Sequence, residues 1–343
     1  MGAAPMTTCP LCAHDGSAVE LEGLSGVDGV VRLLRCGDCG LRFIDPPPPR
    51  DRPHEIAVTR VDAASALGRE GTWLSQRMSG AVTALALDQK RRAQLGWLRR
   101  AGVRAGDRLL DVGSGSGAFV AAARARGVRA EGLEPAGAQR VDHPRTVHRG
   151  TVHPGTVHPG TIHPGTVLDV DFAEDAFDAI TLWSVLEHEP APRETLAKLA
   201  KWLRPGGVLL LEVPDAGSRI ARALGRDWPA LEPREHACHY DQRTLTRALE
   251  AAGFQDVRVH AGSTVAWRQH GSELMLGLAS RHREALAPFW AIESRSAALR
   301  AGVLAAFGVG AAVERALGES RLIAVARGAG RSHAGITSSR AGE

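Results

Sequence analysis

Three sets of residues in this chain have the types and spacing to do chemistry. Cys9-Pro10-Leu11-Cys12 and Cys36-Gly37-Asp38-Cys39 are paired C-x-x-C motifs, an arrangement that can set four thiolates tetrahedrally around one Zn²⁺. A site whose four positions are all filled by protein sulfur has no room for a substrate, so its role is structural. Gly37 and Gly40 suit the tight turns that aim backbone N–H groups at the sulfurs. The second set is Asp111-Val112-Gly113-Ser114-Gly115-Ser116-Gly117, an acid followed by glycines at every second position. Glycine lets the backbone approach a ligand closely and adopt positive φ at little cost. The third set is a pair of dipeptides, Glu187-His188 and Glu235-His236. An imidazole with its ordinary pKa is suited to general-base work near neutral pH. Cys238, which has no C-x-x-C partner, is a weaker candidate as a nucleophile.

These residues need a scaffold. Leu109 to Val112 is an apolar strand; the glycines follow it, and an Ala-rich helix follows them. A strand, a glycine turn and a helix N-terminus together make a nucleotide-binding corner. The spacing D-x-G-x-G-x-G differs from the dinucleotide fingerprint G-x-G-x-x-G, which argues against a nicotinamide-dependent oxidoreductase. Val128 to Pro135 predicts a second strand with Glu134 at its end, about 20 residues past the glycines, where a carboxylate can accept from ribose hydroxyls. The competing reading of Glu134 is an acid at a helix start. Phe177 to His188 reads as a buried strand running into a loop. Leu203 to Pro214 reads as a helix end, a Pro-Gly-Gly turn and an apolar strand. Helices are expected at 78–100, with Val82, Leu85, Leu95 and Leu98 inward, at 194–203, and at 243–252 closed by Gly253. Further strands are expected at 254–260 and 321–326. Strands alternating with helices imply a parallel sheet covered on both faces, with both Glu-His pairs in loops at the carboxyl ends of strands.

In order and content these segments resemble the motifs of the class I S-adenosylmethionine (SAM)-dependent methyltransferases. The resemblance implies an α/β fold: a Rossmann-like seven-stranded methyltransferase sheet with an antiparallel edge hairpin, plus a small N-terminal zinc ribbon. It implies SAM at Asp111, Gly113, Gly115, Gly117, Glu134 and Trp183. In related enzymes the residues just after the third strand touch the adenine; counting back from Phe177 points to Thr166 and Val167, with apolar and backbone contact in place of the acid often found there. Trp228 through Phe254 resembles the small-molecule branch that carries N-terminal zinc ribbons and methylates sugars and quinone or natural-product precursors. That likeness implies an active-site pair at Glu235 and His236, with His236 as base, and His188 at the cofactor's edge. The expected function is methyl transfer from SAM to O, N or C of such a small molecule. The rival reading is a zinc-ribbon binding protein whose methyltransferase-like domain holds SAM without catalysis.

Among the 343 residues, 42 basic and 38 acidic side chains leave a formal charge of +4, too mild to argue for nucleic acid. No apolar run reaches the ~18 residues of a membrane span, and the start of the chain has no basic, apolar leader. A cytoplasmic enzyme is expected, with reduced thiols and therefore zinc rather than two disulfides. The expected division is a zinc ribbon at 1–45, a proline linker and helical connector at 46–102, the SAM-dependent methyltransferase domain at 103–328 and a tail at 329–343. Residues 143–167 are tandem pentapeptides of the form His-Pro-Gly-Thr-Val, read as an expanded, tolerant loop insertion rather than a metal-binding histidine array. A helical insertion at 273–317 is either a packing pair or a substrate cap or homodimer surface.

Overall fold

The computed structural model describes residues 8–49, 73–135, 162–264, 316, 318 and 320–330, with the side chains of the first helix described from Leu87 onward. Most of the pentapeptide repeat, the linker past residue 49, nearly all of the 273–317 insertion and the tail from residue 331 lie outside the described residues.

The N-terminal strands are Ser17–Ser25 (β1), Val30–Cys36 (β2) and Arg42–Asp45 (β3). Next come helix Trp73–Arg100 (α1), strand Arg108–Val112 (β4), helix Ala118–Arg124 (α2), and strands Arg129–Glu134 (β5), Ile162–Pro164 (β6) and Phe177–Trp183 (β7). Helix Pro192–Trp202 (α3), strand Leu203–Pro214 (β8), helix Arg219–Leu224 (α4) and the two-residue strand Cys238–His239 (β9) follow. Helix Gln242–Ala251 (α5) and strands Gln255–Ala261 (β10) and Arg321–Arg327 (β11) complete the described elements.

Seven strands form one sheet in the order β10-β11-β8-β7-β4-β5-β6. The run from β8 to β6 is parallel, and β11 is antiparallel to both β8 and β10, so the expected edge hairpin is present. Successive side chains of a strand face opposite ways, and a sheet covered on both faces needs apolar residues at both. Leu110, Ile180, Leu209 and Leu211 pack with Leu196, Leu199 and Trp202 of α3 and with Leu245 and Leu249 of α5. Leu109, Ala179 and Leu210 face the other way, onto Leu95 and Leu98 of α1 and Phe119, Val120 and Ala123 of α2. Pro192 opens α3, since its missing N–H is no loss in the first turn. A capping box opens α5: the Asp241 carboxylate accepts the Thr244 N–H while the Thr244 hydroxyl accepts the Asp241 N–H.

The Pro-Gly-Gly segment expected as a turn is drawn into β8. The cause is its neighbours: Leu203 pairs with Phe177, and Gly206, at φ 72°, donates its N–H to Gly328 O at 2.9 Å.

The edge strand β6 is built from the repeat itself, Ile162 closing one pentapeptide and His163-Pro164 opening the last. Its His163 Nε2 lies 2.9 Å from Glu131 Oε2 of β5. The final copy is thus part of the sheet rather than a passive loop.

The N-terminal strands do not stand apart. They form a sheet β1-β2-β3-β9 whose fourth strand comes from the loop after α4. Arg42 and Phe43 of β3 pair with His239 and Cys238, and Ile44 N–H donates to Ala237 O at 2.9 Å. Leu24, Val31, Leu33 and Ile44 pack on Ile220, Leu224, Trp228 and Leu231. Among the described residues, no helix is long and apolar enough to cross a membrane.

Candidate functional site

Every loop of interest leaves the carboxyl end of a sheet strand. After β4, Gly113, Gly115 and Gly117 have φ of 68°, 53° and 73°, values only glycine adopts cheaply. The glycines differ in surroundings. A Cβ on Gly113 would sit 2.4 Å from Val185 Cγ2, whereas one on Gly115 would meet nothing within 4 Å. The backbone at Gly115 therefore borders open space. Opposite it, at the end of β5, Glu134 is 6% exposed, and its Oε2 accepts the Gly115 N–H at 2.7 Å. Burial raises the Glu134 carboxyl above its usual range, partly offset by that amide. Asp111 is buried and accepts from Thr181 Oγ1 at 2.6 Å; burial pushes it up to about 7, with Glu134 adding to the shift and Thr181 and Lys90 opposing it. Trp183 is buried edge-on to Phe119, ring centroids 5.5 Å apart, and its Nε1 has no hydrogen-bond partner among the described residues. Beyond β6, Thr166 is half-buried, donating both N–H and hydroxyl to Asp169 Oδ2, while the Val167 side chain belongs to the core.

The two Glu-His pairs meet. The turn after β7 passes through Ser184 at φ 59° and delivers Glu187 and His188. The loop before β9 delivers Glu235 and His236. The imidazoles of His188 and His236 lie 4.7 Å apart, centroid to centroid. His188 Nδ1 is 3.1 Å from Glu235 O, and His236 Nδ1 is 2.8 Å from Ala230 O. Glu235 brings its carbonyl to this junction; the Glu187 carboxylate joins the two rings, one ligand atom of each of the three residues lying within 4.8 Å of the others, and Glu232 Oε2 stands 3.4 Å from His236 Nε2. Glu187 is buried, and desolvation pushes it up to about 8, with Arg321 pulling down and Glu212 and Glu232 pushing up. His239 of β9 is 6.1 Å from the His236 ring, and burial lowers its pKa to about 4. Cys238 sits beside it as a buried thiol pushed up to about 12, the opposite of an activated nucleophile.

Below this junction lies a network that spacing alone did not single out. Glu212 of β8 is fully buried and accepts from Thr264 N, from Thr264 Oγ1 and from an Arg321 guanidinium nitrogen at 3.2 Å; the same nitrogen reaches Ser184 Oγ at 2.8 Å. Lys90 of α1 lies in the field of Glu212, Arg321, Asp111 and Glu187, and burial of its ammonium lowers its pKa. An acid inside the apolar run Leu209 to Val213 was the available signal, since a carboxylate is almost never fully buried without a partner.

The four cysteines Cys9, Cys12, Cys36 and Cys39 are free thiols with their sulfurs within 4.8 Å of one another. Cys9 and Cys39 are 3.6 Å apart and Cys12 and Cys36 3.5 Å, close to the separation of about 3.8 Å that Zn–S bonds of about 2.3 Å impose in a tetrahedron. Leu41 N–H points at Cys39 Sγ at 3.5 Å, and Gly40 turns at φ 81°. The donor set and its geometry fit a structural Zn²⁺.

A family model described as a methyltransferase domain matches residues 73–259, more than half of the chain. The tRNA U34 carboxymethyltransferase of Chromohalobacter salexigens is 37% identical over 87 residues, 25% of this chain and 26% of that protein, so this chain spans about a quarter of the length of the curated relative it matches. Among solved structures, phosphoethanolamine N-methyltransferase 2 of Haemonchus contortus with SAM is similar at 17% identity and a TM-score of 0.43, over 69% of this chain and 52% of that one. The 1,6-didemethyltoxoflavin-N1-methyltransferase of Burkholderia thailandensis, with 1,6-didemethyltoxoflavin and S-adenosylhomocysteine, is similar at 17% identity and a TM-score of 0.43, over 86% of this chain and 99% of that one.

Proposed function

The chain belongs to the methyltransferase-domain family, and from that premise we propose that it moves a methyl group from SAM to an O, N or C atom of a small molecule such as a sugar, quinone or natural-product precursor. The observation that carries this reading is the open space over Gly115, which Glu134 faces; two residues back, Gly113 packs on Val185 of the loop that leads to His188. A side chain at Gly115 would fill that space, and the orphan indole N–H of Trp183 is a buried donor awaiting an acceptor. SAM supplies an electrophilic methyl on a positively charged sulfur.

The rest is done by this chain's own residues. Gly113, Gly115 and Gly117 let the backbone curve under the ligand, and Asp111 holds the end of β4 through Thr181. Glu134 would accept from the ribose hydroxyls in place of the Gly115 amide, and Thr166 and Val167 would border the adenine. Because the thioether is a good leaving group, the remaining tasks are alignment of the acceptor atom and removal of its proton. Those tasks fall to His236 and His188, with Glu235 fixing His188 through its carbonyl. Cys9, Cys12, Cys36 and Cys39 would hold Zn²⁺, which gives β1 to β3 a rigid corner.

Calorimetry on Gly115→Val and His236→Asn tests the assignment. The first is expected to lose SAM affinity by at least a hundredfold. The second is expected to keep SAM affinity and to lose turnover of radiolabelled methyl into an acceptor panel. A folded Gly115→Val protein with unchanged SAM affinity would sink the reading of the glycine corner.

A further inference from the structure

We propose that Glu187, His188 and His236 form a second metal site, for a divalent first-row cation that would hold an oxygen-bearing acceptor. One ligand atom from each residue lies within 4.8 Å of the other two. Each imidazole has its Nδ1 against a backbone carbonyl, His188 at Glu235 O and His236 at Ala230 O. A carbonyl oxygen only accepts, so each neutral ring keeps its proton at Nδ1 and its lone pair at Nε2. Carbonyls holding the far nitrogen in this way orient metal-binding histidines. Glu187 is 2% exposed, and neither carboxylate oxygen has a hydrogen-bond partner from another described residue. Two imidazole nitrogens and a carboxylate converge at this junction, the donor set that a divalent cation takes.

The surroundings agree. Glu232 Oε2, 3.4 Å from His236 Nε2, adds negative charge beside the three ligands. The charged groups facing Glu187 are Arg321, Glu212, Glu232 and Lys90. Arg321 is paired with Glu212 at 3.2 Å, so Glu187 and Glu232 outweigh the remaining lysine. Imidazole with carboxylate selects manganese, iron, cobalt or zinc over magnesium and calcium. Three protein ligands leave coordination positions open. An acceptor presenting two neighbouring oxygens, such as a vicinal diol or a hydroxyketone, would fill them, and its metal-acidified hydroxyl would lose its proton to solvent in place of the imidazoles; that clause rests on the methyl-transfer reading, whereas the metal site does not.

The test uses full-length protein with its cysteine cluster saturated with zinc, titrated with Co²⁺ and followed by visible absorption and elemental analysis. One further equivalent is expected, with weak visible bands and none of the intense sulfur-to-cobalt absorption that exchange into the cysteine cluster would give. Glu187→Gln and His236→Asn should each weaken that uptake at least tenfold, with zinc content and SAM affinity unchanged. Folded wild-type protein that takes up no further equivalent overturns the proposal, and so does uptake that both substitutions leave unaltered. Either failure, with SAM still bound and methyl still transferred, leaves the function above standing with imidazole as the proton acceptor.

Discussion

The two sheets of this molecule are held together by different means. The seven-stranded sheet owes its cohesion to apolar side chains on both faces, with Leu109, Leu110, Leu209 and Leu210 all fully buried. The four-stranded sheet is thin; its cohesion comes from a corner of four sulfurs and from one apolar face lying on α4 and Trp228. Yet β9, the fourth strand of this thin sheet, continues from the loop that carries His236, whose ring meets that of His188 beyond the end of β7. A weakly cored element therefore sets the position of a residue in the candidate site. Small modules with little apolar area commonly need a metal for this reason.

The sharpest way to break the parallel is to remove the metal. Cys36→Ser is expected to reduce zinc from about one per chain to none, to loosen β1 to β3 and with them β9, and to cut turnover at least a hundredfold. SAM affinity should change less than about threefold, because Gly115 and Glu134 lie on the other sheet. Elemental analysis with calorimetry checks both halves, and equal loss of both activities would erase the distinction drawn here.

Buried and exposed ion pairs offer a second contrast. Arg321→Met leaves Glu212 buried without its guanidinium and should cost about 3–5 kcal/mol in urea unfolding. Arg247→Ala at the seam, which loses the exposed contact with Asp38 at 3.6 Å, should cost under about 1 kcal/mol.

A third, milder effect comes from pH. Asp111 is held up to about 7, against about 3.9 for an unfolded chain. Between those values the native state keeps a proton that the unfolded state has lost, so stability falls as pH rises through this window and is unaffected below it. The slope from this group is at most about 1.4 kcal/mol per pH unit. Asp111→Asn should flatten it in part, since Glu187, at about 8, contributes in the same direction. Melting curves from pH 4 to 8 decide this; an unchanged slope would mean that Asp111 is ionised in the native state.

The smallest effect is expected at the repeat. Deleting His153 to Val167 joins Gly150-Thr151-Val152 to Leu168 and supplies the edge strand with Val147-His148-Arg149 in place of Ile162-His163-Pro164. His148 would then take the place of His163 beside Glu131. Closure entropy changes slowly with loop length, so the melting temperature should move by only a few degrees and SAM affinity should hold.

What could be read in the sequence was whatever is local. The glycines, the C-x-x-C pairs and the Glu-His dipeptides carry their chemistry in adjacent residues, and continuous apolar runs such as Val208 to Leu211 mark strands buried on both faces. What could not be read was pairing across the fold. Arg321 reaches Glu212 from 109 residues away, and Lys90 arrives from a helix whose pattern shows no charge partner. The two-residue β9 is too short for any periodicity to register. The repeat offered several equivalent copies, and only pairing with β5 selects the last as a strand. Both dipeptides were visible, but not that the Glu187 carboxylate would stand at the junction while the Glu235 carbonyl held His188.

The bond from Gly115 to Glu134 has a consequence for traffic through the cleft. The amide is satisfied by an internal stand-in, so a ligand bound there would swap partners rather than add one. Such an exchange would lower the net gain on entry and give a departing molecule a competitor within reach. A corner wired this way would favour release over retention.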